Sequence, residues 1–150
     1  MRLSRLCTEE RGSASLEFVT AGLLLLVPLV YLMLAMSSIQ AGALAVEGAA
    51  RQAARVYVQS DSASRAKARA KLAVEFALAD HGIDPASATI TISCHPHPNK
   101  CLTRKNFVTV SIDISVPLPL APSAVPGDFA AAVPLHSTAT QRVSRFWGSG

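Results

Sequence analysis

The chain has 150 residues, which is enough for one small domain and a membrane-spanning segment. Half of the residues are hydrophobic, and many of them lie in one run near the N-terminus. The formal net charge is only +4, and Lys and Arg are scattered along the rest of the chain, so a nucleic-acid partner is not expected.

Residues 1–12 are polar and carry three arginines, Arg2, Arg5 and Arg11. Positive residues before a membrane span favour a cytoplasmic N-terminus. We therefore expect residues 1–12 to be a short cytoplasmic leader peptide.

The next segment has no charged side chain from Phe18 to Val46. A helix rises about 1.5 Å per residue, so roughly 20 residues cross a hydrocarbon layer of about 30 Å. The pattern predicts a helix over residues 13–58 that spans the membrane and continues beyond it. Glu17 directly precedes the apolar run, where an unpaired carboxylate costs on the order of 3 kcal/mol.

In the N-terminal segment, Gly12 is followed by four residues, then by Glu17 and Phe18, and then by an apolar helix. This segment resembles the processing site of type IV pilins and pseudopilins. With the Ala/Arg-rich continuation over residues 49–55, the pattern is most similar to TadE-like minor pilins of tight-adherence (Tad) pilus systems. The resemblance covers about residues 11–58. The serine that would become the first mature residue, Ser13, is not the aromatic residue of the long type IV pilins.

The resemblance implies that a prepilin peptidase cuts between Gly12 and Ser13. The new α-amino group of Ser13 and the carboxylate of Glu17 in a neighbouring subunit would then neutralise each other. It also implies three further partners, namely the membrane, other pilin or pseudopilin subunits and a pilus assembly platform. The resemblance further implies that the C-terminal domain faces outward and that the subunit is incorporated into a pilus at the cell surface.

A different interpretation is a secretory signal peptide with an A-x-A cleavage site at Ala41-Gly42-Ala43, which would release a binding module. The apolar run is about twice as long as a usual signal-peptide core. An uncleaved signal anchor is a third possibility.

Alanines recur every four residues beyond the apolar run, at Ala41, Ala45, Ala49 and Ala53. Glu47, Arg51 and Arg55 have the same period and lie on the opposite side of a helix. Small residues let another helix approach closely. The four alanines are therefore predicted to form a face for packing against other helices in an assembly.

The remainder, residues 59–150, is predicted to be an exported α+β domain. A break at residues 59–62 precedes a second helix from Ala63 to Ala79, with an apolar face at Leu72, Phe76 and Ala79. Two segments, 88–94 and 106–116, then alternate apolar and polar residues, which predicts half-buried antiparallel strands. The second helix should pack on this sheet.

The loop between those strands contains Cys94, His95, His97 and Cys101. Exported cysteines this close favour a disulfide, which would contribute roughly 2 to 3 kcal/mol. A zinc site from the same four residues is the alternative, disfavoured because no second ligand pair follows. Neither a metal nor another cofactor is expected.

Residues 117–134 contain five prolines and are predicted to be a long surface loop. A third strand is predicted within residues 135–146. No phosphate-binding loop, nucleophile elbow or zinc-protease motif occurs, so the chain is interpreted as a substrate of processing and not as an enzyme.

Overall fold

A computed structural model describes residues 13–119 and 132–148 of the chain. The elements follow the order α1 (Ser13–Val58), α2 (Ala63–Ala79), a short 3₁₀ helix (Pro85–Ser87), β1 (Thr89–His95), β2 (Phe107–Pro117) and β3 (Ala132–Arg142). A long apolar helix, a second helix and a three-stranded antiparallel sheet confirm the predicted α+β fold. The chain divides into two units, residues 1–37 and residues 38–150.

Helix α1 runs for 46 residues, and its residues belong to both units. The break predicted after Val58 is present, and Ser62 is the N-cap residue of α2. The hydroxyl of Ser60 donates a hydrogen bond to the carbonyl of Val56 at 2.8 Å, where the helix ends.

Helix α2 turns a different face to the core from the one predicted. Its buried residues are spaced by four, Ala66, Ala70, Val74 and Leu78. The predicted apolar face is exposed instead, with Leu72 at 50% and Phe76 at 63% of their maximal accessibility. The prediction was wrong because it gave more weight to large apolar side chains than to alanines.

The sheet has the strand order β1-β2-β3, and both strand pairs are antiparallel. The central strand β2 buries Val108, Val110, Ile112, Ile114 and Val116 on one face. This confirms the period-two prediction for the first two strands.

The third strand begins earlier than predicted. It includes Pro134, which pairs with Ser115, so the predicted loop over residues 117–134 was too long at both ends. A proline is tolerated here because β3 is an edge strand, where one missing amide donor breaks no second ladder. Residues 120–131 of the predicted loop lie outside the described residues.

The core of the second unit joins α1, α2 and the sheet in one hydrophobic cluster. Helix α1 contributes mainly alanines, and four of them, Ala49, Ala50, Ala53 and Ala54, have no exposed surface. Gly42 lies close to the sheet, since a Cβ there would lie 2.6 Å from Val116 Cγ2 and 2.9 Å from Leu135 Cδ1. Short side chains on α1 therefore let the other elements pack directly on its backbone.

Candidate functional sites: an apolar helix with one carboxylate and a disulfide-closed loop

The first unit is described from residue 13 to residue 37 and is helical throughout. Nearly all of its large apolar side chains are exposed, including Leu24 at 73% and Leu25 at 72%. Full burial of one such side chain is worth about 1.5 to 3 kcal/mol, so a surface of this size needs an apolar environment. By length and composition, α1 is able to cross a membrane.

Glu17 and Phe18 lie near the start of this helix, and both are exposed. Helix α1 begins at Ser13, one turn before Glu17, so residues 13 and 17 occupy the same face. An amino group at Ser13 would thus lie beside the carboxylate face of the helix. Gly12 and the rest of the leader peptide, including Cys7, fall outside the described residues.

Most of the alanine series is buried within the second unit, which the sequence analysis did not predict. Ala45, Ala49 and Ala53 are buried in the core of the second unit, at 1%, 0% and 0% exposure, whereas Ala41 is exposed. Their spacing is explained by packing within the chain. Packing of this series against other subunits remains a prediction for Ala41, and for the other three it would require the core to open.

The opposed charged stripe is present on the surface of α1. Arg51 Nη2 lies 2.6 Å from Glu47 Oε1, as expected for an acid four residues before a base. Both side chains are more than half exposed, so the pair adds only a few tenths of a kcal/mol.

The loop between β1 and β2 is closed by a disulfide between Cys94 and Cys101. Since both sulfur atoms are in this bond, the alternative zinc site cannot form in this state. Among the described residues, no group of three or more His, Cys, Asp or Glu side chains is arranged to hold a metal.

Asn106 organises the same loop from a fully buried position. Its Oδ1 accepts a hydrogen bond from the amide of His97 at 3.2 Å. Its Nδ2 lies 3.2, 3.3 and 3.1 Å from the carbonyl oxygens of His97, Lys100 and Cys101, to which it donates. Sequence reasoning missed this residue, because a single asparagine before a strand is a common turn signal.

The segment after β3 is attached to the turn between the two helices. The indole of Trp147 donates a hydrogen bond to the carbonyl of Ser60 at 2.9 Å. Arg104 Nε donates to the carbonyl of Trp147 at 3.0 Å, and the amide of Val143 donates to the carbonyl of Asn106 at 2.8 Å. The disulfide loop, the helix turn and the C-terminal segment thus form one end of the second unit.

A surface depression of about 650 Å³ lies at this end and is lined in part by Tyr57, Lys67, Lys100, Leu102 and Trp147. Burial raises the pKa of the Tyr57 phenol, so this group is neutral at physiological pH. The depression combines aromatic side chains with two exposed ammonium groups.

In comparisons with known proteins, no protein-family model, curated protein or solved structure matches this chain.

Proposed function

We propose that the protein is a minor pilin or pseudopilin of a Tad-like pilus, made as a membrane-anchored precursor and involved in pilus assembly or initiation. Prepilin peptidase removes residues 1–12, and the start of α1 holds the subunit in the membrane until it packs with other subunits. The domain at residues 38–150 lies outside the cytoplasmic membrane.

This proposal depends on one observation. A single carboxylate lies at the start of an apolar helix, and no other described element covers the N-terminal part of that helix. Glu17 is the only charged residue from Ser13 to Val46, and its neighbours Leu16 and Phe18 are 70% and 80% exposed. Such a surface needs lipid or other apolar helices around it, and the carboxylate then needs a cation. Cleavage after Gly12 supplies that cation as the α-amino group of Ser13.

The structure also bears on the secretory alternative. Helix α1 passes through Ala41-Gly42-Ala43 without interruption, and Gly42 packs against Val116 and Leu135. Cleavage after Ala43 would remove Gly42 from this contact with the sheet. The geometry of the second unit therefore favours retention of residues 38–43 in the mature protein.

The test is the mature N-terminus, measured by mass spectrometry on protein from the native host. We expect Ser13 in the wild type and an uncleaved N-terminus in Gly12→Val, since a bulky side chain replaces the glycine at the cut. Leu44 as the first residue would show secretory cleavage, and Met1 in the wild type would show an uncleaved anchor. Either result contradicts the proposal.

Glu17→Gln separates assembly from processing. We expect this variant to be cleaved but absent from sheared surface filaments, because the new amino group loses its counter-charge. The matched control is Glu47→Gln, which removes an exposed carboxylate further along the same helix. Normal filament recovery with Glu17→Gln would contradict the assembly role of Glu17.

A further inference from the structure

The outer face of the sheet carries an ordered array of hydroxyl groups. Side chains directly opposite each other on the three strands form rows, because the strands are antiparallel and in register. Two successive rows consist entirely of Ser and Thr, namely Ser93-Thr109-Thr140 and Thr91-Ser111-Thr138. The hydroxyl oxygens of Thr109 and Thr140 are 2.8 Å apart, so these two side chains are hydrogen-bonded between β2 and β3.

The next row, towards the disulfide loop, has a different chemistry. It consists of His95, Phe107 and Arg142, and all three residues are exposed. The ring of Phe107 is 45% exposed although it lies on the central strand. Opposite residues on adjacent strands lie about 5 Å apart, so an aromatic face and a guanidinium adjoin the hydroxyl array.

Basic residues are concentrated in the segments at this end of the sheet. The segments 90–112 and 137–150 contain neither Asp nor Glu and have five basic residues, Lys100, Arg104, Lys105, Arg142 and Arg145. Asp113, in the row beyond the hydroxyl rows, is hydrogen-bonded to His136 at 2.7 Å. The amide of Lys105 donates a hydrogen bond to the carbonyl of Val143, which joins the two segments beside the Phe107 row. Asp61, on the helix turn at the same end, is already paired with Arg65.

The hydroxyl rows, the phenyl ring and the basic residues together indicate which chemical groups a ligand of this face would carry. Hydroxyl groups donate and accept hydrogen bonds, which suits a polyhydroxylated ligand. An exposed phenyl ring suits an apolar ring face, and a guanidinium pairs with a carboxylate in bidentate geometry. A polymer of uronic acid residues combines these three features.

We infer that the outer sheet face, from the Phe107 row across the two hydroxyl rows, binds an acidic polysaccharide. A single-stranded nucleic acid fits less well, because such ligands stack on successive aromatic rings. Phe107 supplies the one benzene ring on this face of the described strands. This binding does not depend on pilus assembly, since every residue of the surface lies in the second unit.

The surface is distant from the contact that Gly42 makes with the sheet. Gly42, near the start of the second unit, contacts Val116 and Leu135, at the end of the sheet where β2 finishes and β3 begins. The Phe107 row lies at the opposite end of β2, nine residues along the strand from Val116. Within the second unit, the surface therefore lies at the other end of the sheet from the Gly42 contact.

The experiment measures binding of the full-length protein, in detergent micelles, to polygalacturonate. Its fully methyl-esterified form is the matched neutral ligand, and oligo-dT is the nucleic-acid competitor. We expect polygalacturonate to bind at least about tenfold more tightly than either, which corresponds to ~1.4 kcal/mol. Equal binding of the methyl ester, or tighter binding of oligo-dT, would overturn the inference.

Variants locate the surface. We expect Arg142→Gln and Phe107→Ala each to weaken polygalacturonate binding by about tenfold. Arg69→Gln on α2 is the matched control, since it removes one exposed positive charge from a different face. An equal loss in Arg69→Gln and Arg142→Gln would show unspecific charge attraction and would refute the site. Unchanged thermal unfolding of each variant verifies that the exposed substitutions leave the fold intact.

Discussion

At the scale of single residues, the most consequential side chain is the buried amide of Asn106. It connects three backbone carbonyls and one backbone amide of the disulfide loop. Backbone groups that are shielded from water must form hydrogen bonds within the protein. In this loop, no adjacent strand among the described residues provides such partners. One asparagine side chain, with both donor and acceptor atoms, meets that need.

Replacement of this asparagine should therefore be costly. We expect Asn106→Ala to lower the free energy of unfolding by about 3 kcal/mol, because it removes four hydrogen bonds between a fully buried side chain and the loop backbone. Asn99→Ala is the control in the same loop, where the side chain is exposed, and it should change stability by less than about 0.5 kcal/mol. Urea unfolding measures both, and an equal effect of the two substitutions would show that the hydrogen bonds of Asn106 contribute little.

At the scale of elements, helix α2 shows how alanines decide which face is buried. Ala66 and Ala70 share the core with the alanines of α1, and side chains this short allow two helices to approach closely. Leu72 and Phe76 are larger, and they lie beside a groove that also contains Val56 of α1. Hydrophobic size alone therefore predicted the wrong face.

The two leucines of α2 provide a direct test of this assignment. Leu78 is fully buried and Leu72 is half exposed. We expect Leu78→Ala to lower the free energy of unfolding by about 2 to 5 kcal/mol and Leu72→Ala by less than about 1 kcal/mol. Thermal or urea unfolding distinguishes them, and the reverse order would mean that the predicted face is the buried one.

At the scale of the whole molecule, the second unit contains nearly all of the core and the first unit almost none. The cluster that joins α1, α2 and the sheet begins at Ala45. The helix of the first unit contributes no residue to that cluster. Its exposed apolar side chains are unfavourable in water. The C-terminal half of α1 is thus an element of the domain as well as a continuation of the apolar helix.

This division predicts the outcome of two truncations. A fragment of residues 38–150, made in an oxidising compartment, should be soluble and unfold cooperatively, because it keeps the complete cluster. A fragment of residues 54–150 should not fold, since it lacks Ala45, Val46, Ala49, Ala50 and Ala53. Circular dichroism during heating measures both, and a cooperative transition in the shorter fragment would show that α1 is dispensable for the core.

Local patterns in the sequence were sufficient for much of the fold. The period of two over β1 and β2, the break after Val58 and the close cysteine pair each depend on neighbouring residues, and each is present in the structure. Pro134 misled the prediction of β3, because whether a proline is tolerated depends on whether its strand is at an edge. For the candidate sites, the processing roles of Gly12, Ser13, Glu17 and Phe18 stay predictions, and the sequence did not indicate the role of Asn106.

The sequence by itself determined the apolar helix with its single carboxylate, since length, hydropathy and charge are properties of consecutive residues. Tertiary packing determines which alanines are buried, why Leu72 and Phe76 face solvent, and which segments with basic residues lie at one end of the sheet. These features depend on contacts between residues far apart in the chain. Strand register and helix packing create such contacts, and no short sequence pattern records them.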